Sequence, residues 1–445
     1  MKTKTIATLG ILIAGSLVVS IAQPVPTHSP AGTMDSIAER YVKLVLAMGE
    51  HDPDYVDAYY GPPAWKKEAE TTKTPLDTIA HGAHELCDQL AHLPVPKDEP
   101  EQLRHDYLIK QLSALAARVR LVQGEKMTFD EQSETLYDSV APTYSAEHFQ
   151  ELIDKVEATG ALKPKDASDH RTLAQRYAEW HKAFIIPKDK LDTVFQLAIK
   201  ECRAHTQAHL QLPSDESFTV EYVTNKPWGG YNWYKGNYHS VIQVNTDLPN
   251  YIDRAVDLAA HEGYPGHHVY NTLLEKNLNH GRGWVEFSVY PLFSPQSLVA
   301  EGTANFGREV VFSKQERRKF EKDVLWPAAG LDPAQADAYY DVQDSMTKLS
   351  YATNEAARQL IDGKIDAQAA TDWLEKYELD EPDRAKKRVQ FIEHYGSYVI
   401  NYNYGEDLVK HYIEKQGGTP DHPEKRWEEF GRLLSSPLLP SGLRK

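Results

Sequence analysis

The chain has 445 residues, 41% of them hydrophobic and 26% charged, with 65 acidic side chains against 49 basic ones and two cysteines. That length buries a large core, in one big domain or two closely packed lobes, and the composition excludes global disorder, a collagen-like repeat and a disulfide-stapled miniprotein. A formal charge of −16 offers nucleic acid no electrostatic footprint.

Residues 1–22, MKTKTIATLGILIAGSLVVSIA, open with Lys2 and Lys4, continue as an uncharged apolar stretch and end in Ser20-Ile21-Ala22. A basic start, an apolar centre and small residues at the end read as a secretory signal peptide. The competing reading is an uncleaved anchor, since the apolar run is close to spanning length. Cleavage removes two lysines and no acid, so the mature chain is more acidic still. An exported protein, periplasmic or extracellular and free of the membrane after cleavage, is the expectation. Export leaves Cys87 and Cys202 free to pair or to remain buried thiols, and their spacing does not decide between these.

From Ser36 the pattern is helical. S-I-A-E matches a capping box, and Tyr41, Val42, Leu44, Val45 and Leu46 follow at three-to-four spacing. Prolines and a glycine in DPDYVDAYYGPPAW (52–65) break it. Further amphipathic runs predict helices near 75–93, 101–122, 145–159, 169–185 and 189–211, forming a bundle-like scaffold lobe over 23–212. Between 217 and 248 the β-branched and aromatic segments SFTVEYV and HSVIQVNTDL flank the glycine-rich KPWGGYNWYKGNY. They predict a short antiparallel sheet or hairpin. Strand 239–248 either offers a free edge to an extended peptide or lies inside the sheet. Trp228, Tyr231, Trp233 and Tyr234 line a mouth or fill a corner. Helical periodicity returns at 250 and holds to about 416, so the fold class is mainly α, with the second lobe spanning 213–445. The run SKQERRKFEKD (313–323) reads as a solvated helix face.

The chemistry concentrates in AVDLAAHEGYPGHHVYNTLLEK (255–276). In H-E-x-x-H zinc peptidases two histidines one helical turn apart reach one metal while the glutamate faces its water. Here the spacing is longer. On a regular helix His261 and His267 would sit about 120° apart around the axis, and His268 about 10.5 Å further along than His261. Neither pair shares a metal unless the helix is remodelled. Pro265 cannot donate to the carbonyl of His261 and biases Tyr264 away from helix, and Gly266 permits angles other residues avoid. A bulge or break absorbing two residues would bring His267 to the second ligand position. The alternative is a plain helix–turn–helix with surface histidines.

Two histidines leave a catalytic zinc short of one protein ligand, often a carboxylate from a later helix. Glu301, in SLVAEGTANFGREVVF (297–312), is the leading candidate, because an acid in so apolar a run needs a partner, either a cation or an arginine such as Arg308. Glu309 is the rival.

H-E-G-Y-P-G-H-H followed by A-E-G-T-A resembles the bacterial domain-of-unknown-function 885 family, whose pattern is H-E-x-x-P-G-H-H and then E-G-W-A. The resemblance takes in YVDAYYGPP near the start. It implies a mainly helical fold similar to zinc metallopeptidases, with His261, His267 and Glu301 as ligands of one Zn²⁺ and Glu262 as general base. Thr303 stands where the family usually has tryptophan, and Phe306 where tyrosine is common. The late NYNYG matches the family's tyrosine-plus-glycine segment and implies Tyr402 as a donor to the oxyanion, with Tyr398, Tyr404 and His394 as rivals. The expected function is a secreted zinc metallopeptidase acting on peptides. A hydrolase of non-peptide or cell-wall amides and a non-catalytic binding protein are the alternatives.

Overall fold

The computed structural model describes residues 33–226 and 228–444, so the signal-peptide reading of 1–22 lies outside the described residues. The first helix, Met34–Gly49, starts earlier than S-I-A-E indicated: Thr33 is the cap, its hydroxyl accepting from the Ser36 N–H at 3.2 Å. Its buried face is Ile37, Tyr41, Val42 and Val45, the periodic set read from the sequence. Helices Leu76–His92, Glu99–Val122, Ala146–Ala158 and Leu191–His209 follow the same rule. The run near 169–185 forms as Leu173–His181 with a tighter turn to Phe184. Two further helices form, Pro63–Thr72, which buries only Ala69, and the short Phe129–Tyr137, which buries Phe129, Leu136 and Tyr137 on one face. The first begins at a proline, which breaks a helix interior but suits the first turn, where the missing N–H has no partner to lose.

The β interlude differs from the antiparallel expectation. Strands β2 (Ser217–Val223), β3 (Gly230–Gly236) and β4 (His239–Asn245) form a mixed sheet in the order β2-β4-β3. β3 and β4 make an antiparallel hairpin through Asn237 and Tyr238, whose φ angles of 52° and 61° suit a tight turn. β2 lies parallel to β4 on its other side, Ser217 opposite His239 and Val223 opposite Asn245. Strand 239–248 is therefore internal, and the free-edge reading fails for it; β3 is an outer strand. A second small sheet pairs β1 (Val56–Tyr59) with β5 (Val289–Pro291), antiparallel, from a segment read only as a helix breaker.

One large apolar cluster draws on both halves of the chain, with Tyr41, Leu112, Phe293, Trp326 and Leu433 all fully or nearly fully buried. A bidentate ion pair ties the halves further: Arg104 donates to both oxygens of the fully buried Glu286 at 2.6 and 3.2 Å. A smaller cluster joins Phe149, Val156 and Leu162 to Val342 and Leu349. The 313–323 run is not simply solvated, for Arg318 pairs with Asp341 and Asp344, and Lys322 with Asp337. Cys87 and Cys202 are both free thiols.

Helix Pro295–Val311 is almost wholly buried and crosses helix Ile400–Lys415 backbone to backbone. A Cβ at Gly302 would lie 2.4 Å from the Gly405 carbonyl oxygen, so the crossing needs the glycine of A-E-G-T-A to meet that of N-Y-N-Y-G. That contact brings Glu301 and the late tyrosines to the same place.

Candidate metal centre

Helix Arg254–Leu258 widens after Leu258 into a π-helical turn, Ala259–Gly263. The Tyr264 N–H bonds the carbonyl of Ala259 at 2.9 Å, and the Gly266 N–H that of Ala260 at 2.8 Å. The Tyr264–Pro265 peptide is cis. Helix His267–Leu274 then begins afresh. Gly266 is required at the break, since a Cβ there would lie 1.9 Å from the carbonyl oxygen of His261. The extra residues are thus absorbed between the histidines, and His261 Nε2 and His267 Nε2 stand 3.1 Å apart.

Glu301 completes the group from the neighbouring helix. Its Oε2 lies 3.3 Å from His261 Nε2 and 3.7 Å from His267 Nε2. These three ligand atoms form a group able to hold a metal ion, all within 4.8 Å of one another. Glu301 Oε2 is buried with no hydrogen-bond partner, a costly arrangement unless a cation meets it. Two imidazoles and one carboxylate suit a divalent transition metal. The electrostatics agree. Burial pulls the His267 imidazole down, but Glu301, with Glu262 and Asp57 behind it, outweighs burial and raises it to about 9. Burial would raise the Glu301 carboxyl, yet His267 and His261 hold it far below the usual carboxylate range. The pocket is built to keep negative charge beside positive charge.

His261 and Glu301 are each held from behind. His261 Nδ1 donates to Asn305 Oδ1 at 3.0 Å, which leaves Nε2 with its lone pair toward the centre. The Asn305 amide N–H donates in turn to the carbonyl of Tyr402 at 2.7 Å. Tyr398 O–H donates to Glu301 Oε1 at 2.8 Å, so Tyr398 supports the carboxylate. Tyr402 lines the cavity; burial first, then Glu301 and Glu262, holds its phenol well above the ordinary value and keeps its proton in place. Glu262 is 5% exposed and also lines the cavity, while its carbonyl accepts from Asn232 Nδ2 at 2.7 Å.

The rivals go elsewhere. Glu309 pairs with Lys410 at 2.8 Å, and Arg308 with Glu406 at 3.0 Å rather than with Glu301. His394 faces Asp54 at 2.7 Å, and Tyr404, unlike Tyr398 and Tyr402, is not among the residues that line the cavity. His239 meets Ser217, and His280 meets Tyr238.

His268 turns away from the centre into a closed cluster. It is fully buried, and burial lowers its pKa despite Glu216 beside it, so the ring is neutral. Its Nε2 donates to Glu216 Oε2 at 2.9 Å, and Nδ1 accepts from Ser240 at 2.9 Å. Tyr264 and Arg203 also donate to Glu216, at 2.6 and 2.8 Å.

The cavity beside the three ligand atoms has a volume of about 600 Å³. Trp228, Tyr231 and Trp233 line it as a row of neighbouring rings, with centroids 5.4 and 4.6 Å apart, whereas Tyr234 turns to the buried side and donates to Glu275. Asp57 of β1 lines it too and accepts from Tyr231 O–H; burial, only partly offset by that bond, raises its pKa to about 6. The sequence reading assigned nothing to Asn305, Asp57 or Glu216. Asn305 had a signal, since four residues after Glu301 is the same helix face.

No family model matches the chain and no curated protein matches it, so the resemblance to the domain-of-unknown-function 885 family rests on its motif residues. Among solved structures, a protein described as a lipoprotein from Colwellia psychrerythraea is 14% identical, with a TM-score of 0.51 over 93% of this chain and 76% of its own. That likeness is one of fold. A second protein of unknown function, described as a lipoprotein from Shewanella oneidensis, is 12% identical, with a TM-score of 0.42 over 84% of this chain and 76% of its own. Metallocarboxypeptidase 1 of Trypanosoma cruzi is 11% identical, with a TM-score of 0.33 over 92% of this chain and 97% of its own. No helix among the described residues is long and apolar enough to cross a membrane.

Proposed function

We propose that the protein is an exported zinc-dependent hydrolase that cleaves peptide bonds. The observation that carries this reading is the convergence of His261 Nε2, His267 Nε2 and the unpartnered Glu301 Oε2 at the wall of a cavity that Glu262 and Tyr402 also line. Zn²⁺ held there supplies Lewis-acid polarisation of a carbonyl and a lowered pKa for water. The chain's own residues do the rest. Glu262 takes the proton of the attacking water and returns it to the departing amine, so one carboxylate serves as base and then acid. Tyr402, whose proton is firmly held, donates to the oxyanion that develops on the carbonyl oxygen. Asn305 fixes the His261 tautomer, and Tyr398 holds the second oxygen of Glu301.

Elemental analysis combined with cleavage of a peptide library tests this. Wild type is expected to hold one zinc per chain. Glu262→Gln is expected to keep the zinc and lose about 10²- to 10⁴-fold in kcat. Absence of stoichiometric metal, or undiminished turnover in Glu262→Gln, overturns the reading. A second reading keeps the chemistry but takes an amide of a cell-wall component. The Trp228–Tyr231–Trp233 row is what this reading rests on, since ring faces accept sugar rings as well as apolar side chains. Turnover of sugar-linked amides in preference to peptides is the result that selects it.

A further inference from the structure

The floor and the rim of the cavity carry opposite charge. Glu262 and Glu301 lie at the floor, 5% and 6% exposed. The rim is basic, in a chain whose acids outnumber its bases. Helix Pro382–Tyr395 turns Arg384, Lys387, Arg388 and Phe391 to the cavity, positions that share one helical face. Arg388 is already committed, donating to Asp380 at 2.8 Å and lying 3.3 Å from Glu378. Arg384 is not: its side chain is 54% exposed and its nearest carboxylate oxygen, on the same Asp380, is 3.4 Å away. Lys387 is exposed and has no ion-pair partner among the described residues. On another wall Arg254 lies 3.8 Å from Asp257, which Arg317 already holds at 3.0 Å.

Asp54 and Asp57 line the same cavity and bond His394 and Tyr231, contacts that do not cancel a carboxylate's charge, so the basic stretch is the wall formed by helix Pro382–Tyr395. Under-paired cations around one opening repel one another and focus a positive potential into it, an arrangement that favours an anionic ligand. We propose that Arg384 and Lys387, with Arg254 of the neighbouring lining, bind a carboxylate of the substrate while its scissile amide lies at the metal centre. This rests on the peptidase reading. A volume of about 600 Å³ suits a short peptide segment, and a peptide brings a carboxylate either at its C-terminal end or on an acidic side chain.

Three matched peptides separate these sources: a free C-terminal acid, its C-terminal amide, and the amide with one neutral residue replaced by glutamate. The measurements are kcat/KM with wild type, and Kd with the Glu262→Gln protein by fluorescence. The free acid, or the glutamate-bearing amide, is expected to exceed the plain amide about tenfold, the scale of a charge-assisted hydrogen bond. That ratio is expected to fall toward one in Arg384→Gln/Lys387→Gln and to shrink as salt rises. Arg254→Gln, on a different element of the lining, is the second variant and reduces the same ratio. Which carboxylate carries the preference identifies its source. Equal values for all three peptides, or a preference that survives both variants, overturns the rim assignment. If none is cleaved the peptidase reading falls, and the Kd ratios alone decide the rim.

Discussion

His267 and His268 adjoin in the chain and serve two unlike clusters. His267 lies at the cavity with its Nε2 beside His261 and Glu301, among groups whose hydrogen-bonding capacity is incompletely used. His268 is sealed, and both ring nitrogens meet partners in Ser240 and Glu216. Both have a carboxylate close by. The difference lies in satisfaction: a closed cluster spends its donors and acceptors on itself and stabilises the fold, whereas an open one brings ligand atoms together with hydrogen-bonding capacity unspent. The same contrast separates Tyr398, spent on Glu301, from Tyr402 one turn later.

The sharpest way to break this comparison is to truncate each histidine. His267→Ala is expected to abolish stoichiometric zinc and hydrolysis together, read by elemental analysis and peptide cleavage. His268→Ala is expected to keep its zinc and lose about 2–3 kcal/mol of stability in denaturant unfolding, because Glu216 and Ser240 lose a buried partner. Zinc loss in His268→Ala with retention in His267→Ala would reverse the assignment.

The tyrosines give a smaller effect. Tyr402→Phe is expected to lower kcat about 10²-fold with zinc content unchanged, as removal of an oxyanion donor does. An unchanged kcat removes Tyr402 from the mechanism.

The pH responses of the two histidines are graded and of opposite sign. In the metal-free protein His267 is raised to about 9, so its stabilising charge is fully present below the unfolded value of about 6.5 and lost as pH rises through 9. Zinc must displace that proton, so zinc affinity is expected to rise about tenfold per unit between about pH 6 and 8. His268 is lowered by burial, so its contribution is present above about 6.5 and lost as pH falls. Titration of zinc affinity against pH, beside unfolding of the metal-free His268→Ala protein, reads both; a flat zinc profile contradicts the His267 assignment.

Most helices were legible because their apolar positions repeat at helical spacing, as Ile37, Tyr41 and Val45 do. Pro63–Thr72 was not, since only Ala69 of its residues is buried and no periodic face exists to read. The break at Pro265–Gly266 was legible from local chemistry, and the acid in the apolar run at Glu301 from its cost. The parallel pairing of β2 with β4 left no trace, because alternation specifies a strand and not its neighbours.

The sequence by itself determined the helical class, the remodelled turn between His261 and His267, and the short set of carboxylates and tyrosines worth considering. Those depend on backbone angles and local spacing, which neighbouring residues dictate. Only the tertiary structure decided that Glu301 rather than Glu309 meets the histidines, that His268 belongs to Glu216, and that Asp57, Asn305 and the basic rim share the cavity. These outcomes depend on the crossing of Gly302 with Gly405 and on segments hundreds of residues apart, where packing chooses among partners that spacing leaves equal.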